Sequence, residues 1–158
     1  MLFTGSAQTG KTFLARRVEA LLVADSRHAY LLEGENLLQG LDADLSAADP
    51  SFAAERVRRY GEVARLLIDT GLIVVSTSKT FGINYQRMAE MIRTLVQPAP
   101  VIAVHMSRAG EEPPPNTDLH FAGPQDFDAA ARQILEELKR RGVLIQPSGT
   151  KSTIQYSI

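Results

Sequence analysis

The sequence predicts an α/β fold, a doubly wound parallel sheet with helices on both faces. Three observations carry this reading. Short apolar runs alternate with longer segments whose apolar residues recur near a 3.6-residue spacing. The clearest run, Leu72-Ile73-Val74-Val75, is apolar throughout, as suits a central parallel strand covered on both faces. Residues 5–12, GSAQTGKT, match the phosphate-binding loop G-x-x-x-x-G-K-[ST], a turn that joins a strand to a helix.

The elements follow in order. Leu2-Phe3-Thr4 is the apolar end of a strand, and the helix after the loop runs over about 11–25. Ala29–Glu33 reads as a short buried strand, and Gly34 and Gly40 bracket a turn. Residues 51–70 form an amphipathic helix with Phe52, Val57, Tyr60, Val63, Ala64, Leu67 and Ile68 on one side. Ser51 is its expected N-cap and Gly71 its expected C-cap. Residues 84–96 form the next helix, stopped by Pro98 and Pro100, and Val101–His105 the next strand. The connection 107–118 is held extended by Pro113, Pro114 and Pro115. Residues 118–121 read as an edge strand, 126–141 as the last helix, and Val143-Leu144-Ile145 as a small strand. One domain over 1–145 and a polar tail over 146–158 result.

Composition narrows the function. With 158 residues the chain can bury a sizeable core. Its net charge of −1 supplies no basic field for nucleic acid, and no apolar run is long enough to span a membrane. The absence of cysteine excludes disulfides, thiolate catalysis and cysteine-bound zinc, and fits a cytoplasmic protein. His28, His105 and His120 show no metal-ligand spacing. The abrupt start, with Met1 almost against the loop, predicts a domain cut from a longer protein.

The loop defines a nucleotide site made of Gly5, Ser6, Ala7, Gln8, Thr9, Gly10, Lys11, Thr12 and Phe13. The glycines let successive N–H groups turn inward on a phosphate chain, and Lys11 reaches the β- and γ-phosphates. The Thr12 hydroxyl is a ligand for Mg²⁺. No N-K-x-D or D-x-x-G string is present, so a GTP-binding switch protein is excluded, and no carboxylate follows Val75. What remains is a P-loop kinase for small molecules. Glu33 and Glu35, just past the second strand, are its candidate carboxylates, one as a Mg²⁺ ligand and one as acceptor of the substrate hydroxyl proton.

From the phosphate loop to Val75 the chain resembles adenylylsulfate kinases. That family's L-D-G-D-N-x-R-x-G-L-x-x-D-L string is matched here by residues 32–45, LEGENLLQGLDADL. Its R-x-E-N-I-R-R-x-x-E-V-A helix is matched by residues 53–64, AAERVRRYGEVA. The resemblance implies ATP and Mg²⁺ as cofactors and transfer of the γ-phosphoryl to the 3′-hydroxyl of adenosine 5′-phosphosulfate or a related small substrate. It implies Asn36, Arg56, Arg58 and Arg59 as substrate-binding residues, and fusion to or docking with a sulfurylase-type domain. Several departures accompany it. Both family aspartates are glutamate, and two family arginines are Leu38 and Ala53. The Lys/Arg-rich lid expected after the fourth strand is replaced by residues 107–118. A phosphosulfate is normally gripped by fork-shaped guanidinium groups, which leucine and alanine cannot supply. Two readings stand: a phosphotransferase, or a catalytically impaired nucleotide-binding module that regulates or docks within a larger sulfate-activating protein.

Overall fold

The computed structural model describes residues 1–46, 49–78, 83–123 and 126–144. Five strands form one parallel sheet in the order β2-β3-β1-β4-β5. They are β1 (Leu2–Gly5), β2 (Ala29–Glu33), β3 (Ile73–Thr77), β4 (Ala103–Ser107) and β5 (Leu119–Ala122). The helices are α1 (Lys11–Ala24), α2 (Glu35–Leu38), α3 (Ala53–Asp69), α4 (Tyr85–Leu95) and α5 (Phe127–Arg140). From β1 the chain steps outward to β2 and returns to β3, then crosses β1 to build β4 and β5. The doubly wound expectation therefore holds.

Alternation along the strands divides the core. Phe3 and Val75 join α1 and α5 on one face, around Leu14, Val18, Leu22, Ile134 and Leu138. Leu2 and Val74 join α3 and α4 on the other, around Val57, Tyr60, Met88 and Ile92. Adjacent strand residues thus point to opposite sides, and each side is closed by a pair of amphipathic helices. Tyr60 carries a polar task in the second core. Its hydroxyl, fully buried, donates to the carbonyls of Leu32 at 3.2 Å and Thr77 at 3.0 Å, at the carboxyl ends of β2 and β3. Burial pushes its ionisation up, so the phenol stays a donor.

Some boundaries differ from expectation, each for a local reason. Gly34 and Gly40 bracket not a simple turn but the short helix α2. The long helix is not capped by Ser51: its N-cap is Phe52, which offers no side-chain cap. Asp49 accepts from the Ser51 N–H at 2.8 Å and starts a 3₁₀ turn, Pro50–Phe52, that leads into α3. Gly71, at φ +88°, ends α3 as expected, with its N–H on Ile68 and that of Leu72 on Leu67. β4 starts at Ala103, not Val101, where pairing with Leu2 begins. Val143 and Leu144 lie in a bend after α5, and Leu144 packs into the first core. Ile145 and the tail lie outside the described residues. No helix among the described residues is long and apolar enough to cross a membrane.

At the amino ends of the strands, Asp118 gathers three elements. It accepts from the Ala103 N–H at 2.7 Å, from Arg93 of α4 at 3.0 Å and from Arg141 past α5 at 2.6 Å. Arg141 and Arg140 also bind Glu137, whose carboxyl is held down to about 2 by these guanidinium hydrogen bonds.

Two outcomes are expected. Tyr60→Phe removes the hydroxyl that joins the carbonyls of Leu32 and Thr77, and should cost about 1–2 kcal/mol. Tm should fall by about 2–8 °C in a calorimetric scan. Acid should weaken the fold in a defined window. Glu55 and Glu137 both titrate near 2 when folded, and near 4.3 when unfolded. Between those values the unfolded chain binds more protons, so stability present above about pH 4.5 is lost as the pH falls toward 2. Urea midpoints measured across that range should decline, and Glu137→Gln should flatten part of the slope.

Candidate active site

The site grows from the carboxyl end of β1. Gly5 lies so close to β4 that a Cβ there would stand 1.8 Å from the Met106 carbonyl oxygen, and its φ is +129°. Only glycine satisfies both conditions. The chain then curls through Gln8, at φ 62°, and Gly10, at φ 85°, into α1. A Cβ on Gly10 would lie 2.5 Å from the Phe127 ring. α1 starts on this left-handed glycine with no side-chain cap and no acidic residue in its first turn. Its first N–H groups thus face the loop's interior, where an anion satisfies both the hydrogen bonds and the helix dipole. The Lys11 ammonium folds back onto the Ser6 carbonyl.

Three groups from distant parts of the chain brace this loop. The Tyr85 hydroxyl, at the start of α4, donates to the Gly5 carbonyl at 2.7 Å. Glu111, in the proline-rich connection after β4, accepts from the Ser6 hydroxyl at 2.7 Å and from the Arg108 N–H at 3.0 Å. Those hydrogen bonds hold its carboxyl below the usual range. Beneath the loop, buried His105 bonds Thr4 through Nδ1 at 2.9 Å and meets the Tyr85 ring edge-on. Burial, followed by the charges of His120 and Lys11, pushes His105 down, so its ring is neutral near pH 7. His120 bonds Ser107 at 2.7 Å.

Two cavities open on the loop. One, about 480 Å³, is lined by Gly5, Ala7, Gln8, Gly10, Lys11, Thr12 and Phe13 of the loop and α1, together with Glu35, Thr77, Ser78 and Tyr85. The other, about 540 Å³, lies beside Gln8, Thr9 and Gly10, against Arg108, Gly123 and Phe127. Phe13, 61% exposed, packs its ring 4.9 Å from that of Phe127.

The structure brings some of the expected residues together and separates others. Glu35 and Lys11 share a cavity. Glu33 does not line it: both its oxygens lie 3.3 Å from Arg16. The expectation of Glu33 as a metal ligand meets this ion pair, because β2 ends at Glu33 and the chain turns into α2 before Glu35. Asn36 is exposed on α2. The three arginines expected at the substrate are turned to internal work. Arg56 is buried and donates to the carbonyls of Ser46 and Asp49. Arg58 grips Glu55 with two bonds of 2.7 Å. Arg59 binds Asp44 at 2.6 and 2.9 Å, Glu55 at 2.9 Å and the Leu41 carbonyl at 2.6 Å. Tyr85, Thr77, Ser78 and Glu111 belong to no motif and become site residues only through the fold.

Among the described residues no cluster of three or more His, Asp or Glu is placed to hold a metal. The Thr12 hydroxyl and the Glu35 carboxylate do line one cavity. That donor set fits Mg²⁺, which takes one or two protein oxygens and completes its shell with phosphate and water.

Comparison with known proteins agrees with this geometry. A profile of the family described as adenylylsulphate kinase matches residues 1–113. The adenylyl-sulfate kinase of Aeromonas hydrophila is 42% identical over 94 residues, 60% of this chain and 46% of the relative. That of Geotalea daltonii is 37% identical over 105 residues, covering 66% and 50%. The chain thus spans about half the length of these curated relatives. A solved APS kinase of Mycobacterium tuberculosis superposes with a TM-score of 0.73 at 29% identity, over 87% of this chain and 94% of that one. A second structure of the M. tuberculosis kinase, in complex with AMPPNP and APS, shares the fold at a TM-score of 0.72 and 24% identity, covering 87% and 96%. With a matching profile over most of its length and a phosphate loop built on an uncapped helix, the chain belongs to the adenylylsulfate kinase family.

Proposed function

We propose that the chain binds Mg-ATP at the phosphate loop and transfers the γ-phosphoryl to a hydroxyl of a small acceptor. In the family, that acceptor is adenosine 5′-phosphosulfate. The observation that carries the reading is a single cavity lined by Lys11, Thr12 and Glu35 together. The uncapped start of α1 receives the phosphates, and Lys11 leaves the Ser6 carbonyl for the β- and γ-phosphates. The nucleoside occupies the cavity beside Arg108, Gly123 and Phe127. Thr12 holds the metal, which supplies charge neutralisation when bound. Glu35 accepts the hydroxyl proton as the acceptor oxygen bonds to the γ-phosphorus and the bond to the β-phosphate oxygen breaks, releasing ADP. Glu33, paired with Arg16, orients the β2 end.

A second reading has its own support. The ion pairs that occupy Arg58 and Arg59 favour a module that binds nucleotide without turning over phosphosulfate. Such a module would regulate or dock within a larger sulfate-activating protein.

Three variants separate these roles. Lys11→Ala should weaken ATP binding by about tenfold or more in a titration with a fluorescent ATP analogue. An affinity equal to the parent's would remove the nucleotide site from this loop. Glu35→Gln should keep ATP affinity and lose about 10²–10⁴-fold in turnover. Glu111→Ala should weaken ATP binding about 3–10-fold, the scale of one hydrogen bond to a charged group. Ser6→Ala should do the same, and the double variant no more than either alone.

A further inference from the structure

β3 runs between β1, which leads into the phosphate loop, and β2, which leads to Glu35. Its last residue is Thr77. We infer that Thr77 is a positioning residue for the metal and its phosphates, its hydroxyl accepting a hydrogen bond from a water in the metal's shell. The inference rests on the reading of the loop as a site for Mg-ATP and deepens it.

The first support is place. Thr77 lines the same cavity as Lys11, Thr12 and Glu35. It stands in register with Phe3 of β1 on one side and Glu33 of β2 on the other.

The second is direction. Val75 belongs to the core that α1 closes and Val74 to the opposite one. Alternation along β3 therefore turns Thr77 to the α1 side, the side from which Lys11 and Thr12 start. Glu33, its register partner, marks the same side by reaching Arg16 of α1.

The third is rigidity. Thr77 is buried, and its carbonyl accepts from the Tyr60 hydroxyl at 3.0 Å and from the Gly34 N–H at 2.9 Å. On the other edge, the Ser78 N–H donates to the Phe3 carbonyl at 3.3 Å. The backbone of Thr77 is thus tied to both neighbouring strands, and the Gly34 bond ties it to the turn that carries Glu35. Its hydroxyl makes no hydrogen bond with a described residue.

These features suit an outer-shell contact. Mg²⁺ held by one or two protein oxygens and by phosphate keeps several waters, and each water is a donor. A hydroxyl oxygen has two lone pairs to accept with. Partners of this kind orient what the metal holds and raise its affinity. Ser76-Thr77-Ser78 bring hydroxyls and no carboxylate to this strand end, so the contact adds no negative charge beside the phosphates.

The test uses the full chain and a fluorescent, non-hydrolysable ATP analogue, titrated with Mg²⁺ and again with EDTA in its place. The ratio of the two affinities is the metal-linked gain. Thr77→Val keeps the shape and removes the hydroxyl. It should lower the gain about 3–10-fold, the scale of one hydrogen bond, and leave the metal-free affinity as in the parent. Thr77→Ala should match it, and Thr77→Ser, which keeps the hydroxyl, should retain the gain. Thermal unfolding of the three variants checks that each is folded.

An equal loss in the serine and valine variants would overturn the inference, tracing the effect to packing at the end of β3. A parent-like gain in the valine and alanine variants would also overturn it, as would weakening by the same factor with and without metal. A parent that binds the analogue with no metal-linked gain would overturn the inference and leave the phosphate loop as a nucleotide site. A parent that fails to bind the analogue would remove that site, and the inference with it.

Discussion

The approach of Gly5 to Met106 is the contact on which the rest of the site depends. β1 and β4 are hydrogen-bonded neighbours, and at the Gly5–Met106 pair the loop must leave the sheet at once to reach α1. A side chain at position 5 would occupy the Met106 carbonyl, so the turn exists only with glycine there. The direction of that exit aims the uncapped end of α1 at the space above the sheet. It also leaves the Gly5 carbonyl and the Ser6 hydroxyl pointing outward, where Tyr85 and Glu111 hold them. The bracing residues therefore follow from the same geometry that creates the anion site. A loop gripped from α4 on one side and from the β4–β5 connection on the other meets its phosphate already shaped, which reduces the ordering cost of binding.

Charge is distributed unevenly over the two halves of the site. On the donor side, Lys11 rests on the Ser6 carbonyl, and the first turn of α1 has no acidic residue. Among the described residues, Arg56, Arg58 and Arg59 are engaged by Asp44, Glu55 and the carbonyls of Ser46 and Asp49. Those pairs stabilise the long loop between α2 and α3, a segment with little regular structure of its own. Asp42, buried in that loop, has its carboxyl raised by burial against the pull of Arg59 and Arg56. Arg59 and Arg56 thus act as counterions to the buried Asp42, and Arg59 also to the exposed Asp44.

How far the sequence reveals this depends on whether a feature is local. The five strands and the long helices were legible because each is a contiguous run whose periodicity reports its own burial. α2 was not, since four residues between two glycines show no period. Ser51 does not cap the long helix because a 3₁₀ turn over Pro50–Phe52, itself capped by Asp49, stands ahead of α3. In the site, the phosphate loop was legible because one peptide segment supplies all its parts. Tyr85 and Glu111 reach that loop across sequence separations of 80 and 105 residues, and no local spacing encodes such a contact. Motif positions also did not determine side-chain partners. Arg56, Arg58 and Arg59 keep the register of a substrate-binding helix, yet neighbouring carboxylates and carbonyls set where they point.

A doubly wound sheet separates these two fates naturally. Its strand ends supply a fixed crevice, and the phosphate loop at the central strand is constrained by neighbours on both sides. Changes there meet backbone at every turn, as the contacts of Gly5 with Met106 and Gly10 with Phe127 illustrate. The rest of that cavity is lined by Glu35 of the short α2, Thr77 and Ser78 at the end of β3, and Tyr85 at the start of α4. The phosphate loop is thus held between fixed backbone neighbours, whereas the rest of the cavity lining is contributed by the short or terminal pieces of three separate elements, which only the folding of the sheet brings to one place.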